Sequence, residues 1–128
     1  MKARTTKHYW GVVLDAPDPP ALARFYAALL DWQIAKEEPT WVTVAPPDGV
    51  AYVAIQLEPL HERPTWPAES GRQQMQLHLD IEVGELGSAV EEAVALGATV
   101  AEFQPQDDVR VLLDPAGHPF CLYLETDD

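Results

Sequence analysis

Cysteine is nearly absent: Cys121 is the single one in 128 residues. That excludes an intramolecular disulfide and fits a reducing, cytoplasmic setting. Long apolar runs are missing too, and none approaches the roughly 18 residues needed to span a bilayer. Lys2, Arg4 and Lys7 open the chain, but no signal-type apolar core follows, because Asp15 interrupts the only candidate. A membrane location is therefore not expected. Basic residues are scarce, 8 Lys and Arg against 21 Asp and Glu, for a formal charge of −13. Such a field repels phosphate backbones and argues against nucleic acid as a partner. It suits cationic small molecules or, more simply, solubility. No glycine-rich loop marks a phosphate site, and no serine, histidine and aspartate spacing marks a hydrolase. What remains is a chain of 47% hydrophobic residues, ordinary for a globular protein. Its length suits one domain, or two small modules sharing a core.

Tyr9 to Asp15 is rich in aromatic and β-branched residues and predicts a first strand. Ala16-Pro17-Asp18-Pro19-Pro20 stops it, with Asp18 as N-cap and Pro19 in the first helical turn. Leu22, Phe25, Tyr26 and Leu29 then make one apolar stripe of a helix that ends near Leu30 to Trp32. Strands are expected at Gln33 to Glu37, Trp41 to Ala45 and Val50 to Leu57, with a turn at Pro46-Pro47-Asp48-Gly49.

The segment from Glu58 to about Met75 reads as a connector rich in proline and charge. Its Trp66 lies between Pro64-Thr65 and Pro67 and is expected to fold back onto the body, over a pocket or into the core.

Gln76 to Val83 alternates polar and apolar residues and predicts a half-buried strand. Leu77, Leu79 and Ile81 point one way; Gln76, His78, Asp80 and Glu82 point the other. A helix over Leu86 to Leu96 follows, with Leu86, Val90, Ala93 and Val94 inward and Gly97 at its C-terminal end. Strands are expected at Thr99 to Phe103, Val109 to Leu113 and Pro119 to Glu125. Asp114-Pro115-Ala116-Gly117 echoes the turn of the first half. The chain thus divides into a module over 7–57, a connector over 58–75 and a second module over 76–125. Neither half is large enough to bury a full core alone. The expected fold class is α+β: two tandem βαβββ modules forming a curved mixed β-sheet with a concave pocket.

With its Asp-Pro-Ala-Gly-His turn before the last strand, this pattern resembles the vicinal oxygen chelate superfamily. That superfamily includes glyoxalase I, extradiol dioxygenases, fosfomycin-resistance enzymes and bleomycin-resistance proteins. Val12-Val13-Leu14-Asp15, the Ala23-Arg24-Phe25-Tyr26 helix, Pro64-Thr65-Trp66-Pro67, His78-Leu79-Asp80 and the stretch Asp114 to Leu122 are similar to its glyoxalase-like branch. The match runs from about Lys7 to Glu125.

The resemblance implies a divalent-metal site with a histidine on the first strand of each module and carboxylates on the last strands. His78 matches one position. Its counterpart falls at about Gly11, and the carboxylate positions fall at Cys121 and near Val53 or Gln56. A catalytic metal generally needs about three protein ligands, so no family-type metal site and no cofactor are expected. His78 remains open as a hydrogen-bonded histidine beside Asp80 or Gln56, as a ligand contact, or as a general acid or base. His118, in a turn before proline, suits a structural role, and Cys121 suits a small buried hydrophobe.

Two functions follow. One is a protein of the bleomycin-resistance sort that binds a small organic molecule in the sheet pocket without the usual metal. Its aromatic walls would come from Trp10, Trp32, Trp41 and Trp66. The alternative is an enzyme that uses an atypical metal set around His78 and Cys121, or His78 as acid or base. The expected ligand-binding residues are Gln56, Trp66, His78, His118 and Cys121, with His78 the candidate catalytic group. The resemblance further implies a homodimer.

Overall fold

A computed structural model describes residues 1–125 of the chain. It contains β1 (Trp10–Ala16), α1 (Pro19–Leu30), β2 (Gln33–Glu38), β3 (Trp41–Ala45) and β4 (Ala51–Leu57). The same order recurs in β5 (Leu79–Glu82), α2 (Leu86–Leu96), β6 (Thr99–Val100), β7 (Val109–Leu113) and β8 (Pro119–Tyr123). The chain forms two compact units, Met1–His61 and Glu62–Asp128. Each carries a four-stranded mixed sheet of the same topology, β1-β4-β3-β2 in one and β5-β8-β7-β6 in the other. In both, the first strand runs parallel to the last and the remaining pairs are antiparallel. Among the described residues, no helix is long and apolar enough to cross a membrane.

In the N-terminal unit the Asp18 carboxylate accepts from the Ala21 amide at 3.2 Å, capping α1 where the sequence places an N-cap. The helix ends at Asp31, whose left-handed backbone returns N–H bonds to the last turn. Leu22, Ala23, Phe25 and Tyr26 are buried, and the helix packs across all four strands. Residues in register across the ladder share a face. Val12, Val53 and Val44 form one row, and Leu14, Ile55 and Val42 the next; all of these but the half-buried Val12 are buried.

The C-terminal unit departs from the sequence expectation in four places. The first strand covers only Leu79–Glu82, and His78 lies before it. Leu79 pairs with Phe120, so position 78 would stand opposite Pro119, which has no N–H to give the ladder. Leu77 accordingly lies 52% exposed instead of joining Leu79 and Ile81. The strand expected at Thr99 to Phe103 stops at Val100 because the Gln104 side chain takes over the ladder. Its amide donates to the Ala101 and Val111 carbonyls at 2.9 and 2.8 Å and accepts from the Val111 N–H at 2.8 Å. Val94 is not inward but 46% exposed, since α2 fully buries only Ala93. The last strand stops at Tyr123, which is paired with Val109, the first residue of β7.

Candidate functional site

On the N-terminal sheet, the face away from α1 carries Gly11 beside Tyr52, Val13 beside Ala54 and Thr43, and Asp15 beside Gln56 and Trp41. The Gln56 amide donates to Asp15 Oδ1 at 2.6 Å. This face holds a hollow of about 190 Å³ lined by His8, Ala35, Trp41, Thr43, Ala45 and Tyr52. The bulge in β2 between Ile34 and Lys36 brings Ala35 to its wall. His8 enters from the loop before β1, with Nε2 2.8 Å from the Pro46 carbonyl. A carbonyl only accepts, so Nε2 carries the proton; in the neutral ring Nδ1 is then an acceptor. Gly11 is required here by space. A Cβ at this position would overlap the Tyr52 carbonyl oxygen and come within 2.6 Å of ring atom Cδ2. The Tyr52 ring therefore lies where a side chain on the first strand would project.

In the C-terminal unit, Asp80 stands in register with Cys121, and Glu82 with Tyr123. His78 Nε2 lies 3.9 Å from Asp80 Oδ1. Ligand atoms of His78, Asp80 and Cys121 all fall within 4.8 Å of one another. Burial, and then the Asp80 charge, push the Cys121 thiol above its usual range. Burial together with Glu82, Glu125 and Asp80 does the same to the Tyr123 phenol. A raised thiol pKa leaves less thiolate at neutral pH. Iodoacetamide should accordingly alkylate Cys121 more slowly at pH 7 than it does a free cysteine, with the rate climbing only above the ordinary thiol range. Asp80→Asn should speed the reaction. Mass spectrometry of the adduct against time measures both rates, and a wild-type rate at or above that of free cysteine would refute the assignment.

The structure places the five expected ligand residues as follows. Gln56 stands on the N-terminal sheet in register with Trp41. His78 and Cys121 come together in the C-terminal unit, with Asp80 as a third member. Trp66 folds back within the same unit: its indole N–H donates to the Phe103 carbonyl at 3.1 Å, and its ring lies 6.0 Å from that of Phe103. His118 lies against the buried Asp114, with Nδ1 at 2.8 Å from Oδ2. Tyr52, Thr43 and His8 were not singled out as site residues from sequence, and Trp41 only as one of four tryptophans. Alternation along β3 and β4 would have put Trp41, Thr43 and Tyr52 on one face, given the pairing; His8, outside any strand, left no periodic signal.

The residues do not fit the metal site that the resemblance implies. Gly11 offers no donor and its space is filled by Tyr52. Val53 is buried among the apolar residues of β1 and β3, and Gln56 is held by Asp15. The N-terminal positions of that set are thus without a metal-binding carboxylate or imidazole.

A family model described as a glyoxalase-like domain matches residues 11–123. Among curated proteins, none matches the chain. Solved structures with the same fold include a glyoxalase/bleomycin resistance protein/dioxygenase family enzyme from Burkholderia phytofirmans. It is 17% identical, with a TM-score of 0.66 over 93% of this chain and 98% of that one. A glyoxalase-related enzyme from Fulvimarina pelagi is 19% identical, with a TM-score of 0.64 over 90% and 86% of the two chains. A fosfomycin resistance protein from Mesorhizobium loti is 16% identical, with a TM-score of 0.60 over 98% and 95%. The two βαβββ units, their mixed sheets and the match over residues 11–123 together show that this chain belongs to the glyoxalase-like domain family, with an α+β fold that those solved structures share.

Proposed function

We propose that the protein binds a small, flat organic molecule against the open face of its N-terminal sheet, without the metal site that the superfamily resemblance implies. The observation that carries this reading is the hollow of about 190 Å³ between Trp41 and Tyr52. A cavity of about 150 Å³ takes a benzene-sized guest, so the space suits one or two rings. Two aromatic walls offer stacking and cation–π contact. Thr43 supplies a hydroxyl and His8 a ring acceptor, which suit a guest with an N–H or O–H at its edge. The formal charge of −13 favours neutral or cationic guests over anionic ones. Gln56, in register with Trp41, would extend the polar edge.

The test is isothermal titration calorimetry of the whole chain against a panel of one- and two-ring heteroaromatics, neutral, cationic and anionic. Neutral or cationic members should bind. Trp41→Ala should weaken that binding by about 10- to 100-fold, the scale of a buried aromatic anchor, and His78→Ala should leave it unchanged. Binding that survives Trp41→Ala, or that depends instead on His78, would overturn the reading.

A further inference from the structure

We propose that His8 is the specificity residue of the N-terminal hollow and that one proton switches it. The neutral ring selects guests that donate a hydrogen bond; the charged ring selects anionic ones. This inference rests on the reading of the hollow as a binding site and adds its regulation. Backbone and side chain together fix the ring. His8 has a φ of 55°, a left-handed conformation disfavoured for any residue with a side chain. Such a conformation persists only where its surroundings hold it. Here the His8 amide donates to the Gly49 carbonyl at 3.4 Å, and Nε2 donates to the Pro46 carbonyl at 2.8 Å. Both carbonyls belong to the turn between β3 and β4, so the imidazole is clamped across that turn at the wall of the hollow.

A backbone carbonyl has no proton to give, so Nε2 keeps its own in either charge state. The ring can therefore gain or lose a proton only at Nδ1. Neutral, it presents a lone pair there; charged, it presents an N–H and a positive charge. Of the other residues lining the hollow only Tyr52 is titratable. The charged groups on the elements around His8 are Lys7 beside it in the chain, Asp48 in the clamping turn and Asp15 on β1, which holds Gln56. On β2, Lys36 stands in register with Thr43 and pairs with Glu38 at 3.4 Å. None of these lines the hollow. Linkage then fixes the signs. A guest that donates to Nδ1 competes with the proton, so its affinity falls as the pH falls and its binding releases protons. A carboxylate pairs with the charged ring, so its affinity rises and its binding takes protons up. With His8 neutral, the formal charge of −13 opposes an anion.

Isothermal titration calorimetry of the whole chain with 2-naphthol, 2-methoxynaphthalene and 2-naphthoate tests this. The range is about pH 5.5 to 8, the span in which an imidazole changes charge. Runs in two buffers of different ionisation enthalpy give the protons exchanged, and the ring-proton NMR signal lost in His8→Phe follows the charge of His8. From the neutral to the charged ring, the ratio of 2-naphthol to 2-naphthoate affinity should fall at least about tenfold, the scale of a hydrogen bond to a charged group. 2-Methoxynaphthalene, which cannot donate, should bind the neutral ring less tightly than 2-naphthol does. In His8→Phe, with its fold checked by circular dichroism, the ratio should not change with pH. A constant ratio in the wild type would overturn the proposal, as would binding without proton exchange, which needs no variant to measure. So would a ratio that still shifts in His8→Phe, or a His8 ring that keeps one charge state throughout. Failure of all three probes to bind at every pH would overturn the reading of the hollow itself, and this inference with it.

Discussion

Asp114→Ala is expected to destabilise the protein by about 2–5 kcal/mol, the scale of removing a buried carboxylate that accepts from two backbone amides and a histidine ring. Asp114 is 1% exposed and organises the turn before β8. Its Oδ1 accepts from the Ala116 and His118 amides at 2.9 and 3.0 Å, and His118 Nδ1 lies 2.8 Å from Oδ2. Alanine removes the acceptor that these three donors share in a turn that is largely buried, and a buried hydrogen bond lost in this way costs about 1–3 kcal/mol. Against a total stability of about 5–15 kcal/mol this is severe, and the melting temperature should fall on the order of 10 °C or more. Asp114→Asn keeps an acceptor for the backbone amides and should cost less. His118→Ala should cost least of the three, since the backbone bonds survive. Urea denaturation of the three variants gives the ranking. A loss below about 1 kcal/mol for Asp114→Ala would show that the turn holds without its carboxylate. Arg63 braces this turn: its guanidinium donates to the Pro115 carbonyl at 3.1 Å, and the same side chain covers Gly117, whose φ is +91°.

Gly11→Ala should be the second most damaging change, costing about 1–3 kcal/mol, as overpacking of a close contact does. The added methyl would overlap the Tyr52 carbonyl oxygen, which is backbone and cannot rotate away. The β1–β4 ladder would have to part locally. Elsewhere in a strand, alanine in place of glycine would be mildly favourable, so a loss here reports the contact and not propensity. Tyr52→Ala on top of Gly11→Ala should restore only part of the stability, because it removes the ring and leaves the carbonyl. Full rescue in a double-mutant cycle would place the clash in the ring alone. Gly11→His, which would supply the imidazole that the resemblance implies, should destabilise further and bind no additional metal. The same geometry ties fold to site, since the Tyr52 ring held over Gly11 is one wall of the hollow.

The sequence by itself determined the order of elements and much of their extent. Periodicity and capping sufficed for α1, where Asp18 accepts from Ala21 and Leu22, Phe25 and Tyr26 are buried. They gave the bounds of α2, β3 and β7 as well, because these signals are local, but not the inward face of α2, where Val94 is exposed. The doubled pattern and the Asp114-to-Leu122 stretch also carried the family resemblance. Tertiary pairing decided the rest. β5 is short because its partner begins at Pro119, and β6 is short because Gln104 replaces backbone donors and acceptors. Neither limit lies in the segment it cuts. The sites follow the same rule. Asp80 lies 41 positions from Cys121 and Gly11 lies 41 from Tyr52, and only the parallel ladders set each pair side by side. Alternation tells which residues of one strand share a face; register, fixed by burial of the opposite face, tells which residues of two strands meet.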